Sequence, residues 1–95
     1  MKKIKFKGEV LTLNVLKYNN GTPALQLVDE DGAPYMVASV NLPDANLKKG
    51  EVAIKNWSEN RGILDTLIKN RIVSKPVRTV KSGFVDVPIV KLLIK

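Results

Sequence analysis

From Lys3 to Val10 apolar and polar residues alternate, with Ile4, Phe6 and Val10 in one phase and Lys3, Lys5 and Lys7 in the other, the period-two pattern of a half-buried strand. The phase then inverts, because Leu11, Leu13 and Val15 carry odd numbers. The inversion predicts either a β-bulge near Val10 and Leu11 or a bend that buries both faces, and a long, bent first strand is the simplest form. "YNNGTP" follows, and its Asn19, Asn20 and Gly21 tolerate positive φ, so it predicts a hairpin turn. Residues 24–28 then form a second strand with Leu25 and Leu27 facing one way. "DEDGAP" turns the chain again into a third strand over 35–42, with Val37 in one phase and Met36, Ala38, Val40 and Leu42 in the other. Pro43 and the loop "DANLKKG" end this meander, and 51–55 is a short fourth strand around Val52 and Ile54.

The period changes after Lys55. Ile63, Leu64, Leu67 and Ile68 make one apolar stripe at helical spacing, with Asp65, Lys69 and Asn70 polar between and after them, which predicts a helix over about 58–70. Lys69 and Arg71 suit the negative end of its dipole, and Pro76 prevents continuation. Residues 77–81, a Ser82-Gly83 turn and 84–94 form a second hairpin, in which Pro88 marks an edge or a bulge. The whole is a single domain over 1–95, α+β, with a mostly antiparallel curved sheet or partly open barrel of five to six strands and one helix. This order of elements resembles an OB-fold, which by analogy alone favours nucleic-acid binding.

The helix start, "KNWSENRGILD", is where structure and chemistry compete. Ser58 or Asn60 can accept a hydrogen bond from an unpaired N–H of the first turn, Glu59 complements the positive helix end, and Trp57 can fold back on Leu64 or Ile63 as a hydrophobic staple. Capping leaves Arg61 and Gly62 unexplained. Gly62 implies a close backbone approach or a helix that begins only after it. A helix start flanked by Lys55 and Arg61 also suits an anion, so Lys55, Trp57, Ser58, Asn60 and Arg61 are candidate anion or partner contacts.

Charge adds a second candidate surface. The net charge of +7 is uneven, with +4 in residues 1–7, −3 in 8–68 and +6 in 69–95. If the first and last strands lie together, Lys3, Lys5, Lys7, Arg78 and Lys81 form a basic surface that attracts nucleic acid, a nucleotide or an acidic protein. Alternation turns Phe6 away from the lysines, so a base-stacking platform is poorly supported. Composition removes other chemistry. With no cysteine and no histidine, a Cys/His zinc site, a cysteine nucleophile and a Ser-His dyad are excluded within one chain. The acidic run Asp29, Glu30 and Asp31 is better explained as a tight turn than as a metal site. No cofactor, metal or catalytic residue is expected. "MKKIKFKGEV" lacks the apolar stretch of a signal peptide and no run is long enough to span a bilayer, so the expectation is a soluble, cytoplasmic protein without membrane contact.

Three blocks carry a resemblance over nearly the whole chain: "YNNGTPALQLVDEDGAPYMVASVNLP", "EVAIKNWSENRGILDTLIKNRIV" and "RTVKSGFVDVPIVKLL". Their order and spacing resemble a family of small domains of unknown function carried by plasmids, conjugative elements and phages of bacteria. That family shares an Asn-Gly turn after a tyrosine, a "QLVDEDGEPY" hairpin, "VNLP", an acidic "KDYSENEG" helix start and an "SGFVEVP" strand. This chain departs from the acidic helix start at Asn56, Trp57 and Arg61. The resemblance implies mobile-element cargo, hence a non-enzymatic binding protein acting by protein contact, an inhibitor of a host defence system such as a CRISPR effector. The alternatives are an OB-like nucleic-acid-binding domain and a protein that binds or sequesters an anionic nucleotide.

Overall fold

The phase inversion at Val10 and Leu11 marks a hairpin rather than one bent strand. In the computed structural model, which describes residues 2–94, β1 (Lys2–Phe6) turns through Lys7 and Gly8 into β2 (Glu9–Lys17). Both turn residues have positive φ, 50° and 83°, as a two-residue type I′ loop requires. The register pairs Ile4 with Leu11 and Lys5 with Val10, so even-numbered residues of β1 share a face with odd-numbered residues of β2. This pairing alone inverts the apolar phase.

The next two turns form as their residues dictate. Asn20 Oδ1 accepts the N–H and the hydroxyl of Thr22 at 3.2 and 2.8 Å, closing the loop into β3 (Pro23–Val28). Asp29 Oδ1 accepts the N–H groups of Asp31 and Ala33, each at 2.9 Å, so the acidic run is a turn leading into β4 (Pro34–Val37). These four strands make an antiparallel sheet in the order β1-β2-β3-β4. The strand expected over 35–42 is then divided between two sheets. Ala38 donates its N–H to Leu25 of β3 at 2.8 Å, whereas Val40 donates to Ala53 of β5 (Glu51–Ala53) at 2.9 Å. The second sheet has the order β5-β7-β6, formed with β6 (Arg78–Ser82) and β7 (Val85–Lys91). Among the described residues the fold is α+β, seven strands in two antiparallel sheets with one α-helix, and the sheets do not close into a barrel.

Pro88 lies on β7, the central strand of its sheet, and not at an edge. Its carbonyl accepts the Ile54 N–H at 3.0 Å, one residue beyond the Ala53–Ile89 pair that ends the β5 ladder. The reciprocal bond that proline cannot donate therefore falls where the ladder is already ending.

Alternation gives the second sheet two buried faces. Val52, Ile54 and Val90 join Ile4, Phe6, Leu11, Leu13, Leu25 and Leu27 in the larger core, which α1 (Ile63–Lys69) completes with Ile63 and Leu67. On the opposite face Ala53, Val87 and Ile89 form a smaller core, packed by Val40, Leu42, Leu47, Trp57, Val80 and Val85. The helical stripe is as expected, but α1 starts five residues later than the predicted span. At its other end Ile72 N–H bonds Leu67 O and Arg71 N–H bonds Ile68 O, each at 3.0 Å, a Schellman stop. Arg71 occupies the left-handed position of that motif, with φ 58°, where glycine is usual. Replacing Arg71 with Gly is therefore expected to stabilise the fold by up to about 1 kcal/mol, read from urea unfolding midpoints. A loss of stability would show that the Arg71 side chain contributes more than its backbone costs.

Candidate functional site

The helix-start block is organised by Asn56, a residue outside the candidate set. Its Oδ1 accepts the N–H groups of Gly62 and Leu64 at 3.2 and 3.0 Å, so it performs the capping expected of Ser58 or Asn60. Ser58–Asn60 is instead a separate 3₁₀ turn. Gly62 has φ 93°, and a Cβ there would sit 3.7 Å from the Phe6 ring, so the left-handed backbone that precedes α1 is what demands glycine. Asn60 is only 2% exposed and donates from Nδ2 to the Val37 carbonyl at 2.8 Å, tying the turn to β4. Trp57 packs in the smaller core beside the second sheet, whereas Ile63 and Leu64 belong to the larger one, so it does not staple the helix.

Little of this block is left to receive an anion. The Lys55 ammonium is ion-paired with Glu59 one turn away. The Lys55 hydrogen bond, followed by the Glu59 backbone N–H, lowers the Glu59 pKa below the ordinary carboxylate value. Lys7, at the β1–β2 turn, donates to the Glu59 carbonyl at 3.3 Å and so leaves the strand face expected for it. Ser58 and Arg61 are exposed, and among the described residues the Arg61 guanidinium has no hydrogen bond or ion pair.

The expected basic surface is also divided. Lys3 and Lys5 are exposed on β1, an edge of the first sheet, and Lys81 is exposed on β6, an edge of the second. Arg78 is half-buried and its charge is engaged. Its Nη1 donates to both carboxylate oxygens of Glu51 at 2.8 and 2.9 Å. Glu51 is 4% exposed and also accepts the Lys48 N–H at 2.9 Å. The Lys48 N–H first, and then the Arg78 guanidinium, hold its carboxyl below the ordinary range against the opposing effect of burial. A buried carboxylate needs such a partner, and this need draws an otherwise surface arginine inward.

One surface group was not singled out by the pattern. Phe84 follows Gly83, whose φ is 60°, in the two-residue loop between β6 and β7, and its relative exposure is 105%. Beside it lies a groove of about 460 Å³ lined by Asn56, Trp57, Thr79, Val85, Asp86 and Pro88 as well as Phe84 itself. Its sequence signal is the "SGFV" turn, in which glycine takes the strained position and leaves the next residue at the tip.

Among the described residues no group of three or more acidic, His or Cys side chains is placed to hold a metal ion, and no helix is long and apolar enough to cross a membrane. No family model matches this chain, and comparison with curated proteins and with solved structures gives no match.

Two outcomes follow from this geometry. Asn56→Ala should cost about 1 kcal/mol in urea unfolding while Asn56→Asp, which keeps the acceptor, costs little; equal losses would assign the effect to something other than the cap. Since the Glu51 pKa is depressed from its ordinary 4.5, its stabilisation is complete above that pH and disappears as pH falls through the folded value. Glu51→Gln should therefore be less stable at about pH 7 and lose less stability on acidification to about pH 3 than the unsubstituted protein, by thermal unfolding. Parallel pH profiles would contradict this.

Proposed function

We propose that this chain is a non-enzymatic binding protein of phage or mobile-element origin that acts by contact with a protein partner, a host defence component such as a CRISPR effector. The observation that supports protein contact is Phe84. A two-residue turn with glycine in its first position asks nothing aromatic of its second, and a phenylalanine adds on the order of 200 Å² of surface that folding leaves wet. Aromatic side chains beside a partly apolar groove are the usual anchors of protein interfaces. Trp57 and Pro88 supply such a groove next to Phe84. The mobile-element setting rests on the resemblance of the three ordered blocks.

The alternatives draw less support. A nucleic-acid surface built from Lys3, Lys5, Lys7, Arg78 and Lys81 loses Arg78 to Glu51 and has Phe6 buried in the core. A nucleotide site at the helix start has Lys55 paired with Glu59 and the Gly62 and Leu64 N–H groups bound to Asn56.

The test is a plaque assay in bacteria that carry an active CRISPR effector targeting the infecting phage. Expression of the chain should raise plaquing, and Phe84→Ser should weaken the effect tenfold or more, the loss expected for an anchor of ~2 kcal/mol. Because Phe84 is exposed, the variant should unfold at the same temperature as its parent. No protection by the unsubstituted chain would count against the defence target, and full activity of Phe84→Ser would count against this surface.

A further inference from the structure

At the opposite end of β7 from Phe84 lie two neighbouring concavities with lining residues in common, together a trough. The first, about 570 Å³, lies over Leu13, Val15, Leu16, Leu92 and Ile94. The second, about 460 Å³, is bounded by Lys17, Lys48 and Lys49 with Asn20 and Thr22. They share Lys17 and Pro23, and Lys2 stands at the rim of the first. No acidic side chain lines either one, and among the described residues none of these four lysines is in an ion pair.

We propose that this trough binds an extended acidic and apolar peptide segment of a partner protein. Four lysines beside an aliphatic floor match a chain that alternates carboxylates with apolar side chains. The lysine turn is held in place before any ligand arrives. Lys48 N–H bonds Glu51 Oε1, Lys48 O accepts the Glu51 N–H at 2.9 Å, and Gly50 O accepts the Leu92 N–H at 2.8 Å. A fixed turn lowers the ordering cost of binding. Among the described residues β1 pairs β2 only as far as Leu13, so Asn14–Lys17, which line the trough, are paired with β3 alone and leave an edge along which an extended segment can lie. Single-stranded nucleic acid fits less well, because the lining offers no aromatic ring for stacking and no arginine.

The experiment is fluorescence anisotropy with a labelled twelve-residue peptide alternating Glu with Leu or Phe, a neutral Gln-for-Glu version, and an oligothymidylate of equal charge. The acidic peptide should bind, weaken as salt rises, and exceed both other probes in affinity. Lys17→Glu with Lys49→Glu should weaken it about tenfold, and Leu16→Ser severalfold. Lys5→Glu with Lys81→Glu, the same charge change elsewhere, should leave it unaltered, as should Phe84→Ser, which separates this site from the anchor surface. Far-ultraviolet circular dichroism checks that each variant folds. The proposal is overturned if the peptide does not bind, if the oligonucleotide or the neutral peptide binds as well, or if both lysine pairs weaken binding equally.

Discussion

Residues 38–40 carry the chain from one sheet to the other, and the rest of the structure hangs on that transfer. Ala38 is divided between the sheets: its N–H bonds Leu25 of the first at 2.8 Å, and its carbonyl accepts the Lys55 N–H, beyond the second, at 2.8 Å. The Leu25 N–H would then be left without the carbonyl that ordinary pairing supplies. Ser39 repairs this, since its buried Oγ accepts that N–H at 2.9 Å and lies 2.9 Å from the Tyr18 hydroxyl. An unpaired buried amide costs about 1–3 kcal/mol, so a serine at this one position permits the strand to change sheets. Asn60 adds a second tie from the helix start to Val37.

Much of this fold is readable from the chain because its strands alternate and its turns carry their own chemistry. Asn20, Gly21, Asp29 and Gly32 predict their turns from local rules. The first hairpin is hidden because Lys7-Gly8 sits inside an unbroken alternation, and a lysine at positive φ is no turn signal. The helix start is harder for another reason. Asn56 caps α1 across a whole 3₁₀ turn, a spacing that no capping pattern contains. Arg78 reads as surface because its partner Glu51 lies far away in sequence and only the paired sheet brings them together. Lys17, Lys48 and Lys49 are scattered for the same reason, and the loop of the second sheet assembles them.

These physical causes redistribute the candidate chemistry. The polar block around Trp57 becomes framework, with its amides capped, its asparagine buried and its lysine paired. Outward groups include Phe84 at one end of β7 and a lysine-rimmed apolar trough at the other, besides the exposed Arg61, Lys3, Lys5 and Lys81.

If residues 38–40 lock the two sheets into one cooperative frame, that frame opens only as a whole. Native-state amide hydrogen exchange followed residue by residue tests it most directly. The amides of Leu25, Ala38, Val40 and Lys55 should exchange only with global unfolding, as slowly as those of the sheet interiors, while those of Lys49 and Phe84 exchange fast. Exchange at Ala38 and Lys55 through a separate, lower-energy opening would mean that the sheets part independently and that no single frame joins them.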